Sequence, residues 1–276
     1  LWHEVGARPD LRLPDWMVPF SLSDFSKALG KSLPVLASDA WSRAVSPYDY
    51  GPLYSNPLRP IVDQFDFDKV GDEHGSGPCL FVCATRVRNG KVRVFKDSEI
   101  TTDAILASAC LPTVFQAVEI EDAETGLKEA FWDGGYTGNP ALFPLFNESL
   151  PSDILVVNIN PLERTELPRS VQAIQNRINE ISFNSSLLRE LRAIEFVQRM
   201  LDSGALPEGQ KSRVLVHMIA DDALMNELSV ATKMVPTPYT LSHLKEAGQR
   251  AADTFLEHSK KNLNVRSSLD LVEMFQ

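Results

Sequence analysis

An α/β fold with a mostly parallel central sheet, followed by C-terminal helices, is the expectation this sequence raises, and three observations lead to it. Strand-like and helix-like segments alternate from residue 79 onward. "DILVVNIN" is an unbroken apolar run of strand length, as expected for a strand covered on both faces. A chain of 276 residues, 43% apolar and 23% charged, can bury the core of one large soluble domain.

Taken in order, residues 1 to about 60 are rich in Pro, Ser and aromatic side chains, and Pro14, Pro19, Pro34, Pro47 and Pro52 interrupt short helical patterns. "SNPLRPIVDQF" predicts a helix start, with Ser55 or Asn56 as N-cap and Pro57 at the first helical position. "CLFVCATRV" and "KVRVF" are strands joined at Asn89-Gly90, a pair suited to a tight hairpin. "TTDAILASACLP" is a small-residue helix closed by Pro112, able to pack close to a sheet. "VFQAVEI" and "KEAFW" flank the polar hairpin "EDAETGL", and the second strand ends at Asp133. Gly134 and Gly135 then permit a turn with unusual backbone angles, and Gly138-Asn139-Pro140 opens a further helix. Beyond "DILVVNIN", the stretch from 171 to 201 repeats Ile174, Ile178, Ile181, Leu188, Leu191 and Ile194 at helical spacing. "RVLVHMI" is a last buried strand, and "YTLSHLKEAGQRAADTFLEHSKKNL" and "SSLDLVEMF" are helices.

The net charge of -10 and the lack of a basic run argue against nucleic acid as a partner. Cys79, Cys83 and Cys110 fit neither a disulfide framework nor a zinc site, so a reducing, cytoplasmic compartment is expected. No apolar run approaches the roughly 18 to 20 residues that span a bilayer. The opening "LWHEVGARPD" has no Met and reads like the inside of a helix, which predicts a preceding segment.

Asp133 fits the place of a catalytic residue, since ligands of an open α/β sheet gather at the carboxyl ends of strands; taken alone, Asp-Gly is more often a plain turn signal and Asn139-Pro140 an N-cap followed by a first-turn Pro. "TTDAILASACLPTVFQAVEI" followed by "FWDGGYTGNPALFPLF" resembles the second half of a patatin-like phospholipase domain, in which an Ala-Ser-rich helix ends in Pro and a strand delivers Asp-Gly-Gly. The resemblance covers residues 1–165 and runs also through "LWHEV", "SNPLRPIVD", "LFVCATRVRNGKVRVF" and "ILVVNINP". Residues 166–276 resemble the mainly helical C-terminal extension of one bacterial branch of that family. The resemblance implies a three-layer sandwich and a serine-type lipid acyl hydrolase with a Ser-Asp dyad. In it Asp133 would be the base and Gly134 and Gly135 the rest of its motif, with water as acceptor and no cofactor or metal. A lipid or other hydrophobic ester would be the substrate.

The chain departs from that pattern where the nucleophile belongs. No Gly-x-Ser-x-Gly occurs: "EHGSGP", "LGKSLP" and "ASACLP" each lack the spacing, and Ser108 sits among small residues that suit packing. An upstream segment on the order of 60 residues, two βαβ-sized steps, is therefore expected as a partner of this chain, as a separate chain or in the same reading frame. Two rivals stand beside the hydrolase: a catalytically inactive lipid-binding or interaction module, and an esterase of a storage polyester.

Other candidates carry less. His3, His74, His217, His243 and His258 invite a Ser-His-Asp triad, but His217 lies within a strand pattern and suits a core histidine. Asp221 and Asp222 follow a strand and suit a helix cap better than a metal. The helix from 171 to 201 suits core packing first, and an interfacial membrane contact or a homo-oligomer second. Trp16, Phe20 and Phe25 are candidates to line an acyl cleft or to form a satellite core.

Overall fold

A computed structural model describes residues 45–67, 78–147, 149–206, 213–228 and 237–275, with the side chains of residues 52, 53 and 172 left aside. The described chain divides into two compact units. One takes the residues up to Leu145 together with Ser182–Glu190; the other takes those of Phe146–Ile181 and Leu191–Gln276.

The first unit is built on four strands, β1 (Phe81–Arg86), β2 (Val92–Lys96), β3 (Val118–Asp122) and β4 (Leu127–Asp133). Their order is β2-β1-β4-β3 and every pairing is antiparallel. The expected mostly parallel sheet, and with it the three-layer patatin-like sandwich, is not what forms. The reason is geometric, because parallel neighbours need a crossover of about a dozen residues or more. Here β1 turns into β2 at Asn89-Gly90, where Gly90 takes φ 66° and donates its N–H to the Arg86 carbonyl at 2.9 Å. β3 turns into β4 at Gly126, which takes φ 67° and donates to the Asp122 carbonyl at 2.8 Å.

Helix α2 (Thr102–Ser108) follows β2, capped by Thr101, whose Oγ1 accepts the Ala104 N–H at 3.3 Å; α1 (Arg59–Val62) precedes β1. Ala104 and Ala107 are buried in one cluster with Val82, Ala84, Phe95, Ile100 and Phe131, so the small residues allow the close approach that the sequence predicts. The Phe95 and Phe131 rings meet edge-on with centroids 5.5 Å apart. α1 begins later than predicted, because Asn56 Oδ1 takes the Leu58 N–H at 3.0 Å and residues 57–58 form a turn.

A buried ionic network pins the two hairpins together. Arg86 donates to Asp122 Oδ2 through Nε at 3.1 Å and Nη2 at 2.7 Å, and Arg93 Nε donates to Asp122 Oδ1 at 2.9 Å. Glu124 and Glu99 supply further carboxylates to these arginines. Burial pushes the Asp122 carboxyl up, yet the hydrogen bonds from Arg86 and Arg93 outweigh it and leave it below the ordinary carboxylate range.

The second unit contains the parallel pairing among the described residues, between β5 (Asp153–Val157) and β6 (Leu215–Ile219), with Ile154 opposite Val216. β5 is not covered on both faces as predicted. Ile154 and Val156 are buried, while Leu155 and Val157 are 44% and 66% exposed. An all-apolar strand conceals which of its alternating faces meets the core.

The long helix appears as α3 (Val171–Asp202), capped by Ser170, whose Oγ accepts the Ala173 N–H at 3.1 Å. Its predicted apolar face does not act as one surface: Leu187, Leu191 and Ile194 are buried, whereas Ile174, Ile178 and Ile181 are exposed. Helices α4 (Asp222–Glu227), α5 (Pro238–His258) and α6 (Leu271–Met274) complete the described chain. Among the described residues no helix is long and apolar enough to cross a membrane.

Candidate active site

Strand β4 ends on Asp133, which lies opposite Ala84 of β1. Its backbone is held on both sides. The Asp133 N–H donates to the Cys110 carbonyl at 2.8 Å, and its own carbonyl accepts the Thr85 hydroxyl at 2.8 Å. Thr85 Oγ1 also lies 2.8 Å from Thr137 Oγ1. Since a hydroxyl has one proton and Thr85 has committed its own, Thr137 is the donor there.

The Asp133 carboxyl is half-buried, and Oδ1 accepts the Gly135 N–H at 2.7 Å. No donor among the described residues meets Oδ2. Burial raises the carboxyl above its ordinary range, and the Gly135 N–H offsets that in part. Burial also pushes the Cys110 thiol up to about 11 and raises Cys83 and Tyr136. The charge of Asp133 adds to the effect on Cys110 and Tyr136.

Gly134 and Gly135 serve closeness rather than unusual angles. Residues Gly134–Tyr136 form a 3-10 turn, and neither glycine is among those with positive φ. A Cβ on Gly134 would collide with the Cys83 carbonyl, and one on Gly135 with the Phe183 ring. The predicted helix at Gly138-Asn139-Pro140 does not form either; the next helical turn is the 3-10 segment Phe143–Leu145, and the Asn139–Pro140 peptide is cis. Two N–H groups of this stretch are taken by side chains instead: Asn139 donates to Ser186 Oγ at 3.0 Å and Leu142 to Glu190 Oε2 at 2.6 Å.

Those acceptors sit in α3, in the part of the chain assigned by sequence to the extension. Phe183 packs against Tyr136, the rings tilted by 39° with centroids 5.0 Å apart. Sequence reasoning passed over Phe183, Ser186 and Glu190. No sequence signal marks them, because the helical neighbours of Ser186 are Ser182, Phe183, Arg189 and Glu190, a mixed face that looks solvated.

The remaining candidates have other surroundings. Ser108 ends α2 and makes no hydrogen bond to it. His217 is fully buried, with Nε2 2.8 Å from Asp153 Oδ1 and Nδ1 2.8 Å from Ser268 Oγ. That chain of contacts joins the start of β5 to the C-terminal segment, whose Ser268 and Leu269 N–H groups both reach the Val216 carbonyl. With both ring nitrogens occupied and no exposed edge, His217 is a satisfied core histidine. His243 and His258 each lie within hydrogen-bond distance of the carbonyl four residues earlier in α5. Asp221 caps α4 by accepting the Leu224 N–H at 3.0 Å, and Asp222 accepts the Leu162 N–H at 3.3 Å. Among the described residues no group of three or more His, Cys, Asp or Glu could hold a metal. His3, Trp16, Phe20, Phe25, His74 and Ser76 lie outside the described residues.

No protein-family model matches this chain, and no curated protein matches it either. The likeness to patatin-like phospholipases rests on the quoted segments alone.

Proposed function

We propose that Asp133 is the general base of a serine-type lipid acyl hydrolase with phospholipase A-like ester hydrolysis, this chain supplying the Asp of a Ser-Asp dyad. The observation that carries the reading is the Asp133 carboxyl itself. It stands at a strand end, half-buried, with Oδ1 fixed by the Gly135 N–H and with no hydrogen bond to Oδ2 among the described residues. A carboxylate with the ordinary pKa near 3.9 is a weak base, and burial moves Asp133 in the direction that basicity requires.

The nucleophile would come from a Gly-x-Ser-x-Gly segment, which the 276 residues do not contain. Its hydroxyl proton passes to Asp133 Oδ2 as the Ser oxygen bonds to the ester carbonyl carbon. The protonated Asp133 then returns that proton to the departing alcohol, leaving an acyl-serine. Water repeats the sequence and releases the acid, so both residues are regenerated and no cofactor enters. A hydrophobic ester suits a base that works because water is partly excluded; a storage polyester would satisfy the same chemistry.

One observation favours a second reading, a non-catalytic lipid-binding or interaction module: no serine hydroxyl reaches Asp133 among the described residues. An intact-mass measurement of the purified protein with a fluorophosphonate probe separates the two. The hydrolase reading expects labelling of a serine in a Gly-x-Ser-x-Gly segment, and a loss of turnover of about 10² or more in Asp133→Asn. The base must be ionised, so kcat/KM should fall as pH drops through the raised Asp133 pKa, at a higher pH than an ordinary carboxylate gives. Unchanged turnover in Asp133→Asn sinks the assignment.

A further inference from the structure

One face of α3 follows the chain as it leaves Asp133. Phe183, Ser186 and Glu190 are spaced i, i+3, i+7, so they line up along the helix. In that order they meet consecutive stretches of the segment. Phe183 fills the space beside Gly135 and packs against the Tyr136 ring. Ser186 Oγ accepts the Asn139 N–H at 3.0 Å. Glu190 takes the N–H groups of Leu142, at 2.6 Å, and Phe143, where the 3-10 turn Phe143–Leu145 begins. All of these residues belong to one compact unit.

We infer that Glu190 and Ser186 are positioning residues for Asp133: they fasten residues 139–143 to α3, and the fastened segment keeps the Asp-Gly-Gly turn closed over the Asp133 carboxyl. The Asp133 carboxyl and residues 139–143 share the same short tether. Gly135, which fixes Oδ1, is two residues from Thr137, whose hydroxyl reaches Thr85, and four from Asn139. Freeing residues 139–143 therefore loosens the turn from its far end and admits water to a carboxyl whose basicity depends on partial burial. Glu190 is itself raised by burial, with the Leu142 and Phe143 N–H groups and Arg189 acting against that. Among the described residues no hydrogen bond joins Glu190 to Asp133, so its effect passes through residues 139–143.

The inference rests on Asp133 being the base, and its test does not need turnover. The side-chain carboxyl of Asp133 is titrated by carbon NMR in the full chain, alongside amide hydrogen exchange, for the original protein, Glu190→Ala, Glu190→Gln and Ser186→Ala. Glu190→Gln keeps the volume and one acceptor oxygen, so it remains informative should Glu190→Ala fail to fold. The expected result is exchange at Leu142 and Phe143 faster by about tenfold, as a lost hydrogen bond to a charged group implies. The Asp133 midpoint should move down toward the ordinary carboxylate value near 3.9. A midpoint that stays in place in the folded variants overturns the inference, even where overall stability has dropped, because a merely structural residue would do just that. If Asp133→Asn leaves hydrolysis intact, the hydrolase reading fails by itself, and the midpoints still decide whether α3 sets the environment of Asp133.

Discussion

In the unit built on β1 to β4, α2 and the sheet enclose Phe95, Phe131, Ala104 and Ala107, and the charged side chains pointing inward are matched. In the unit built around β5 and β6, the strand pair covers one face of β5 and leaves Leu155 and Val157 exposed on the other. The difference follows from connectivity. Two tight hairpins form through local contacts and need only the β1–β4 pairing to join them, whereas β5 and β6 are far apart in sequence and pair in parallel with no local hairpin to start from. The candidate base sits in the enclosed unit, where a rigid sheet end can hold a carboxyl in place.

The largest effect expected from this contrast is at Phe131. Fully buried at the centre of the antiparallel sheet, it should cost about 3–5 kcal/mol when changed to Ala, read as a drop in the urea midpoint. A loss below about 1 kcal/mol would show that the enclosed unit is as loosely packed as the other.

Asp122→Asn comes next. Its carboxylate serves both Arg86 and Arg93, but Glu99 and Glu124 remain to neutralise them, and Asn keeps one acceptor oxygen. The expected cost is about 1.5–3 kcal/mol at pH 7, the range for hydrogen bonds to charged groups. The pH dependence follows from the lowered carboxyl of Asp122. Its stabilisation is fully present above the unfolded carboxylate pKa near 3.9 and fades as pH falls through the lower folded value, so the difference between variant and original should close only in strong acid. A difference that is already gone at pH 5 would mean that the arginines do not hold Asp122.

Much of this was legible in the sequence, and the limits have physical causes. Asn89-Gly90 and the "EDAETGL" turn mark the hairpins, because a positive φ favours glycine there, and most strand and helix segments lie close to where periodicity puts them, the helix expected at Gly138-Asn139-Pro140 excepted. Sheet direction is harder to read, because the alternation of strands and helices points to parallel neighbours while the hairpins dictate antiparallel pairing of β1 with β2 and of β3 with β4. The Asp133 position at a strand end was readable, but the purpose of its glycines was not. Gly134 is required by the Cys83 carbonyl and Gly135 by the Phe183 ring, and neither contact is visible in spacing. Glu190 was invisible for the same reason, since a carboxylate on an amphipathic helix looks solvated until the backbone groups it accepts are known.

The smallest expected effect is also the sharpest test of the contrast, because it compares two adjacent residues of one strand. Val156 is 3% exposed and Val157 is 66% exposed, on opposite faces of β5. Valine and threonine share shape and strand preference, so Val→Thr chiefly asks whether a hydroxyl would be taken out of water. At Val156 the hydroxyl is buried, and the change should cost about 1–3 kcal/mol. At Val157 it stays hydrated, and the urea midpoint should shift by no more than about 0.5 kcal/mol. Equal costs at the two positions would break the comparison, because they would mean that the outer face of β5 is covered in solution as fully as the inner one.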